Sequence, residues 1–474
     1  MRRRLNLLAE ADWLAIFLFL VLIVFGWLNI YSVNYNESST TFFTTSNRPA
    51  MQLAWIGISL VLALLIFVTD SRFFSFTAYP LYAFSLAVLL LVIIAGKEVN
   101  GSKSWIMIGP VGLQPAEFAK VTTILALARF LSGYNVKANS RKNIFFSFLI
   151  IALPPIFIML QPDFGSTIVY GSLLIVLYRE GLSGWLLLLI LFMAGIFLAS
   201  LVFSKFVVLL LLVLVSLLIY GVNSKNKKNT GYAIVILLAA LVPSLLLQYL
   251  DFIKADSFIV LLIAVILATT TYIILALSKK LKGVVLMVVF LYAFIGFVYS
   301  VDFVFHNILQ KHQRERVEIM LGLKSDPWGY EYNVNQSKIA IGSGGFTGRG
   351  FLQGPQTKLK YVPEQSTDFI FCTIGEEWGF LGSLAFVAVF IGLIIRLIII
   401  AERQRSKFSR IYGYGVVSIL FFHFAVNISM TLALFPVIGI PLPFISYGGS
   451  SLMSFTVMLF IMLKLDATRK AYLI

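Results

Sequence analysis

Long apolar runs alternate with short polar connectors along this chain, and the runs have the length of membrane-spanning helices. Fourteen stand out, at approximately 13–33, 50–69, 77–95, 115–132, 144–160, 164–179, 185–203, 206–222, 231–249, 257–277, 283–302, 367–400, 411–433 and 444–464. A helix needs about 20 predominantly apolar residues to cross the hydrocarbon of a bilayer. The runs at 115–132, which carries Glu117, Lys120 and Arg129, and at 164–179, which is short, fit that template least well. A membrane β-barrel requires segments of alternating polarity, not unbroken apolar runs. The pattern therefore predicts an all-α polytopic membrane protein built as one domain over 1–474. One stretch interrupts it. Residues 303–366 form a large polar loop ahead of the third-last run, and this loop contains the glycine-rich sequence IGSGGFTGRGFLQG at 341–354. Irregular polar backbone must lie in water or line a protein cavity, so chemistry is expected where this loop meets the run that starts at Thr367.

Composition sharpens the class. The 474 residues are 59% hydrophobic and 12% charged, whereas a soluble domain has about 45–50% and about 25%. The net charge of +16 would suggest a nucleic-acid partner on a soluble protein. Here the basic residues fall between apolar runs, where they set topology and meet anionic lipid, and no nucleic acid is implied. With the N-terminus in the cytoplasm, the inner loops hold Arg2–Arg4, Arg72, Lys227, Lys228, Lys279, Lys280, Arg403, Arg405 and Arg410, among others. The short outer loops hold Arg48, Lys97, Lys103, Lys205 and Lys254. Fourteen is even, so both ends are expected inside and the 303–366 loop outside. Met1–Arg4 followed by the run from Trp13 reads as an uncleaved first span. The single cysteine, Cys372, permits neither an intramolecular disulfide nor a cysteine-based zinc site. Residues 206–282, with Asp251, Lys254 and Asp256 in one short outer turn, carry few chemical residues and read as inserted structural helices.

Candidate chemistry lies in four places. Glu117 and Lys120, in LQPAEFAKV, are three apart and share a helix face. They form either a structural ion pair or part of a polar cavity, since a lone charge at mid-membrane costs about 2.5–3.5 kcal/mol. Asp368 stands at the outer end of an apolar run. It could cap the helix, or it could act as a general base on a substrate hydroxyl, with Glu364 four residues earlier. The glycine-rich segment lacks the GK[ST] of a P-loop and offers either turns or a nest of N–H groups for an anion. The segment PVIGIPLPFISYGGSS at 436–451 must break or kink a helix and is either an entry loop or a cavity wall. His306 and His312 do not have metal spacing, and Trp105 suits an interfacial anchor.

Taken together these stretches resemble the SEDS family (shape, elongation, division and sporulation) of cell-wall membrane proteins, and its rod-shape branch more than its division branch. The matching stretches are GSKSWIMIGPVGLQPAEFAK at 101–120, QPDFGST at 161–167, QRERV at 313–317, SDPWGYEYNVNQSKIAIGSGG at 325–345, FLQGPQTKLKYVPEQSTDFIF at 351–371, GEEWGFLG at 375–382 and PVIGIPLPFISYGGSS at 436–451. They occur in the family's order and cover both halves of the chain.

The resemblance implies a SEDS-type helical bundle and a peptidoglycan glycosyltransferase. Such an enzyme polymerises lipid II, an undecaprenyl-pyrophosphate disaccharide-pentapeptide, into β-1,4-linked glycan for cell elongation and shape, on the outer face of the bacterial cytoplasmic membrane. The family's essential acid falls on Asp368, its QP-x-E-x-x-K pair on Glu117 and Lys120, and its important tryptophan on Trp105. Lys120, Lys338 and Arg48 are then the cations expected to meet the leaving pyrophosphate. A divalent cation could share that role, although no residue cluster dictates one. A class B penicillin-binding protein would supply the transpeptidase, beside other elongation-complex membrane proteins. A lipid II flippase is the second reading. The family commonly has ten spans, so this chain would carry four more. Gln365 and Ser366 stand where a basic residue or His often precedes the Thr-Asp pair, and Ala433 replaces the usual Gly or Thr.

Overall fold

The computed structural model describes residues 10–35, 48–99, 101–109, 111–134, 140–223, 227–249, 257–278, 283–307, 309, 311–324 and 330–469. The chain termini, the turn holding Asp251, Lys254 and Asp256, and the SDPWG stretch at 325–329 lie outside the described residues. In chain order the elements are α1 (Trp13–Asn34), α2 (Arg48–Val68), α3 (Ser71–Ala95), β1 (Lys97–Val99), β2 (Ser102–Ile108), β3 (Val111–Leu113), α4 (Pro115–Leu131), α5 (Arg141–Met159), α6 (Phe164–Val169), α7 (Leu173–Arg179), α8 (Gly184–Val202), α9 (Lys205–Asn223), α10 (Lys227–Tyr249), α11 (Ser257–Ser278), α12 (Val284–Asn307), α13 (Lys311–Met320), α14 (Tyr330–Ser343), α15 (Pro355–Lys358), α16 (Ile370–Glu402), α17 (Lys407–Thr431) and α18 (Gly449–Ala467).

Eleven helices among the described residues are long and apolar enough to cross a membrane, and the protein is a multi-pass membrane protein. The other three expected spans fall on α4, on the α6–α7 segment and on α10. The 164–179 run is not one continuous α-helix: a 3₁₀ turn at Tyr170–Ser172 separates α6 from α7. The large loop is largely helical, holding α13, α14 and α15. Helix starts follow local chemistry. The side chains of Asp12, Asp70, Ser140 and Asp163 accept hydrogen bonds from first-turn N–H groups of α1, α3, α5 and α6, and Pro115 opens α4, where its missing N–H costs nothing. The all-α reading misses one feature, a small antiparallel sheet in the order β1-β2-β3, on which Lys97 pairs with Trp105.

The chain divides into two compact units, Trp185–Lys324 and the rest. The first contains the expected insertion 206–282 and is wider than it. Its core joins Leu209 and Leu212 of α9 to Leu261 and Val265 of α11 and Phe294 of α12.

The second unit centres on α18, whose residues from Ser450 to Ala467 are almost all buried, with α17 and α4 beside it. Around them α1, α2, α3 and α5 turn apolar side chains outward, Phe17, Leu64, Phe76 and Ile94 among them; this is surface for lipid. At the end of α16 remote from Asp368, Arg396 and Arg403 both bind Asp12 (2.8 Å each). Arg403 also pairs with Asp466. These buried carboxylates tie α1, α16 and α18 together, and each is matched by cations as burial demands.

Candidate active site

Asp368 lies two residues before α16, half-buried. Its place is set through the main chain. Three consecutive carbonyls, of Ser366, Thr367 and Asp368, each accept a hydrogen bond from the last third of the chain. The donors are Tyr447 N (2.8 Å), Ser446 Oγ (2.6 Å) and Asn427 Nδ2 (2.8 Å). Ser446 Oγ in turn accepts from Leu442 N at 2.8 Å. The carboxylate faces the backbone of Gly439, where an added Cβ would stand 3.4 Å from Oδ2. Gly439 has φ of +70°, a conformation that favours glycine. The proline-rich segment is therefore a wall of the site.

Arg48, at the start of α2, reaches the same turn. Its Nη1 donates to Ser366 Oγ at 2.6 Å and stands 3.9 Å from Glu364 Oε2. Its guanidinium lies 5.7 Å from the centre of the Tyr447 ring. The Arg48 side chain stays 44% exposed, so it remains open to a ligand. Glu364 has φ of +52° and its carbonyl accepts the N–H groups of Thr367 and Phe369. It is a strained residue one turn from the acid, of the kind that collects at functional sites.

Glu117 and Lys120 sit deeper. Lys120 Nζ lies 2.9 Å from both carboxylate oxygens of Glu117 and 2.9 Å from His423 Nε2. The other ring nitrogen, His423 Nδ1, is 3.1 Å from the Pro441 carbonyl. A carbonyl only accepts, so Nδ1 carries the proton and Nε2 accepts from Lys120. The Lys120 side chain is 0% exposed, and its ammonium is also 5.2 Å from the Phe455 ring centre. The pair is enclosed, and each charge faces the opposite one, as a charge at membrane depth requires.

His423 and Asn427 are four residues apart on one face of α17. They bind consecutive carbonyls, Pro441 and Ile440 (Asn427 Nδ2 to Ile440 O, 2.7 Å). One helix face thus links the Glu117–Lys120 pair, the proline-rich wall and the Asp368 turn. The wall continues to the 161–166 turn: a Cβ on Gly165 would stand 2.2 Å from the Ile438 carbonyl. Asp163 in that turn accepts from Gln114 Nε2 at 2.9 Å, immediately before α4.

Two of the expected residues, Lys338 and Trp105, do not join this cluster in the same way, and neither do the paired acids of GEEWGFLG. Lys338 is exposed on α14 and makes no hydrogen bond or ion pair among the described residues; its neighbour Ser337 donates to the Thr431 carbonyl. Trp105 lies on β2, against Gly112 of β3. The carboxylates of Glu376 and Glu377 are engaged elsewhere. Glu376 accepts the N–H groups of Gln356 (2.8 Å) and Thr357 (2.9 Å) at the start of α15, and Glu377 accepts from Ser32 Oγ.

The glycine-rich segment has its own explanation. α16 is broken at Gly379, whose φ of +64° and ψ of −161° are not helical. Arg349 and Gly350 donate their N–H groups to the Glu376 and Glu377 carbonyls (2.9 and 3.0 Å). Phe380 and Leu381 donate theirs to Gly345 and Phe346 (2.9 and 3.1 Å). The segment repairs the broken helix from its side. Of the two readings of this segment, turns and an anion nest, its N–H groups follow the first and serve main-chain bonds.

The FtsW/RodA/SpoVE family, described as cell cycle proteins, matches residues 12–243 and, overlapping, 203–471. The chain is 30% identical to the peptidoglycan glycosyltransferase RodA of Treponema pallidum (strain Nichols), over 95% of this chain and 96% of that one. It is 30% identical to the peptidoglycan glycosyltransferase MrdB of Escherichia coli (strain K12), over 85% of this chain and 80% of that one. Among solved structures, a chain described under structural coordination of polymerization and crosslinking by a peptidoglycan synthase complex superposes with a TM-score of 0.62. That match has 24% identity and covers 97% of this chain and 98% of that one.

Proposed function

The chain belongs to the FtsW/RodA/SpoVE family and is a peptidoglycan glycosyltransferase, and we propose that Asp368 is its general base. In the reaction Asp368 takes the proton from the 4-hydroxyl of the acceptor's N-acetylglucosamine as that oxygen attacks the anomeric carbon of the donor's N-acetylmuramic acid. The bond from that carbon to the pyrophosphate oxygen breaks, undecaprenyl pyrophosphate leaves with the bonding pair, and inversion yields the β-1,4 link of a polymer grown from lipid II. The observation that carries this reading is the triple anchoring of the 366–368 carbonyls. It fixes the carboxylate's backbone while leaving the side chain half-exposed, as an acid–base group needs.

Arg48 is the cation best placed for the leaving group, since it touches the turn that carries the base and remains accessible. Developing charge on a leaving group is stabilised by such aimed donors. Lys338, exposed on α14, is a second candidate. Lys120, enclosed with Glu117 and His423, acts through position: it holds the α17 face on which Asn427 rides. Among the described residues no group of three or more His, Cys, Asp or Glu side chains could hold a metal ion. A magnesium ion is commonly held by one or two carboxylates plus substrate phosphates; Glu364 would be its protein ligand here.

An apolar groove of about 560 Å³ runs between α2, α3, α4 and α18, lined by Leu62, Phe74, Phe84, Phe118 and Ile461, up to Ile106 and Leu113 of the sheet. It suits a prenyl tail. The reading places this chemistry on the outer face of the cytoplasmic membrane with both termini inside, in keeping with the basic inner loops. It also gives the enzyme a class B penicillin-binding protein as transpeptidase, within a set of elongation proteins. The test is polymerisation of labelled lipid II by the purified full chain in detergent. Glycan strands formed with no second compartment are expected; substrate bound but never polymerised, with or without a penicillin-binding protein, would overturn the reading in favour of transport.

A further inference from the structure

At the opposite end of α17 from Asn427, about 30 Å of helix rise away, a separate pocket of about 350 Å³ opens between the first turns of α3 and α17 and the last turn of α4. It is lined by three basic side chains, Arg72, Arg129 and Lys407, and by hydroxyls that include Ser75, Ser132 and Ser406, with no acidic side chain among the described residues of its wall. Arg129 Nη1 donates to Ser75 Oγ at 3.1 Å, which fixes the guanidinium across α4 and α3. The site just described does not involve this pocket.

We propose that this pocket binds the phosphate of an anionic phospholipid headgroup. The Arg72 and Arg129 guanidiniums converge on one cavity, and like charges so placed favour a bound anion. Guanidinium forks with hydroxyl donors beside them match phosphate oxygens. Basic pockets between membrane helices on the cytoplasmic side serve this purpose in membrane proteins generally. The level of the pocket selects lipid over a soluble anion. Helices α3 and α17 have 25 residues each, about 37 Å of rise against a hydrocarbon core of about 30 Å, so their first turns stand among headgroups. Phe76 lines the pocket and is 83% exposed, placed one turn further in, where acyl chains run.

The experiment titrates the full chain in neutral detergent with phosphatidylglycerol, with phosphatidylcholine of the same acyl chains, and with inorganic phosphate. Lipid retention by native mass spectrometry and thermal shift are the readouts. Phosphatidylglycerol is expected to bind more than about fivefold tighter than phosphatidylcholine, the worth of one cation near an anionic lipid. Arg129→Gln and Arg72→Gln should each weaken it by about fivefold. Lys142→Gln, at the exposed start of α5, should leave it unchanged. If Arg129→Gln does not fold, Arg72→Gln, an exposed side chain at a helix start, decides alone. Equal binding of both lipids, an equal shift from inorganic phosphate, or an equal loss in Lys142→Gln would each overturn the headgroup assignment.

Discussion

Asn427 donates its side-chain amide to the main-chain carbonyl of Asp368 at 2.8 Å, from near the C-terminal end of α17, 59 residues further along the chain. The same amide nitrogen donates to Ile440 at 2.7 Å. One neutral side chain therefore sets the distance between the acid's turn and the proline-rich wall opposite it. Asn427→Ala should leave lipid II binding near normal and lower the polymerisation rate by about 10–100-fold, since a displacement near 1 Å can cost about 10²-fold. Initial rates at saturating lipid II check this; an unchanged rate would show that the turn holds itself.

General base catalysis is typically worth about 10²–10⁴-fold. Asp368→Asn keeps the size and the capping ability of the side chain, so expression and melting should be normal while polymer is lost to that extent or more. Asp368→Glu should recover little, and Glu364→Gln should cost less than either. A capping role predicts the reverse, with Asn harmless and any loss appearing as lower stability. Parallel melting and rate measurements on the three variants separate the two.

Glu117→Gln removes one partner of an enclosed ion pair and should lower stability by about 3–5 kcal/mol, seen as an earlier melt in detergent. The double change Glu117→Leu with Lys120→Met should recover much of that stability, because an apolar replacement of a buried pair is often neutral. Activity should not return with it, since His423 loses the ammonium that orients its ring. Activity returning together with the melt would make the pair purely structural.

Gly348→Ala puts a Cβ 2.2 Å from the Glu377 carbonyl, and Gly379→Ala puts one 2.2 Å from Gly348 N, both at positive φ. Each should cost at least about 1–3 kcal/mol from backbone strain alone. Gly342→Ala meets nothing within 4 Å and should be tolerated. Thermal unfolding of the three proteins in one detergent tests the contrast.

The sidedness of the site has a direct test. In a Cys372→Ser background, Lys360→Cys should react with a membrane-impermeant maleimide in intact spheroplasts, and Lys228→Cys should react after lysis alone. The opposite pattern would move the proposed chemistry to the cytoplasm.

What the sequence disclosed, and what it withheld, follows from chemistry. Glu117, Lys120 and Asp368 stand out because an ionised group in an apolar run is expensive. Asn427 and His423 do not, since neutral polar residues in the run SILFFHFAVNISM are cheap, and their partners are carbonyls 13 and 18 residues onward that no side-chain pattern announces. The glycines at 342–350 were conspicuous, but their purpose was hidden because Gly379 sits within GEEWGFLG, which reads as unbroken helix. The sheet over 97–113 is short and its strands lack a long alternation, so it was absorbed into a connector. The membrane spans were the easy part, because lipid imposes length and polarity at once.

The donors that seat the 366–368 carbonyls are Asn427, Ser446 and Tyr447. On the ribosome they emerge after the acid they hold, Tyr447 by 79 residues, which at about 5–20 residues per second is a lag of about 4–16 s. A nascent chain thus carries its base into the membrane well before the groups that seat it exist. Polymerising competence arrives with the last two long helices, so a truncated or stalled product retains Asp368, Glu364 and Glu117 yet remains silent.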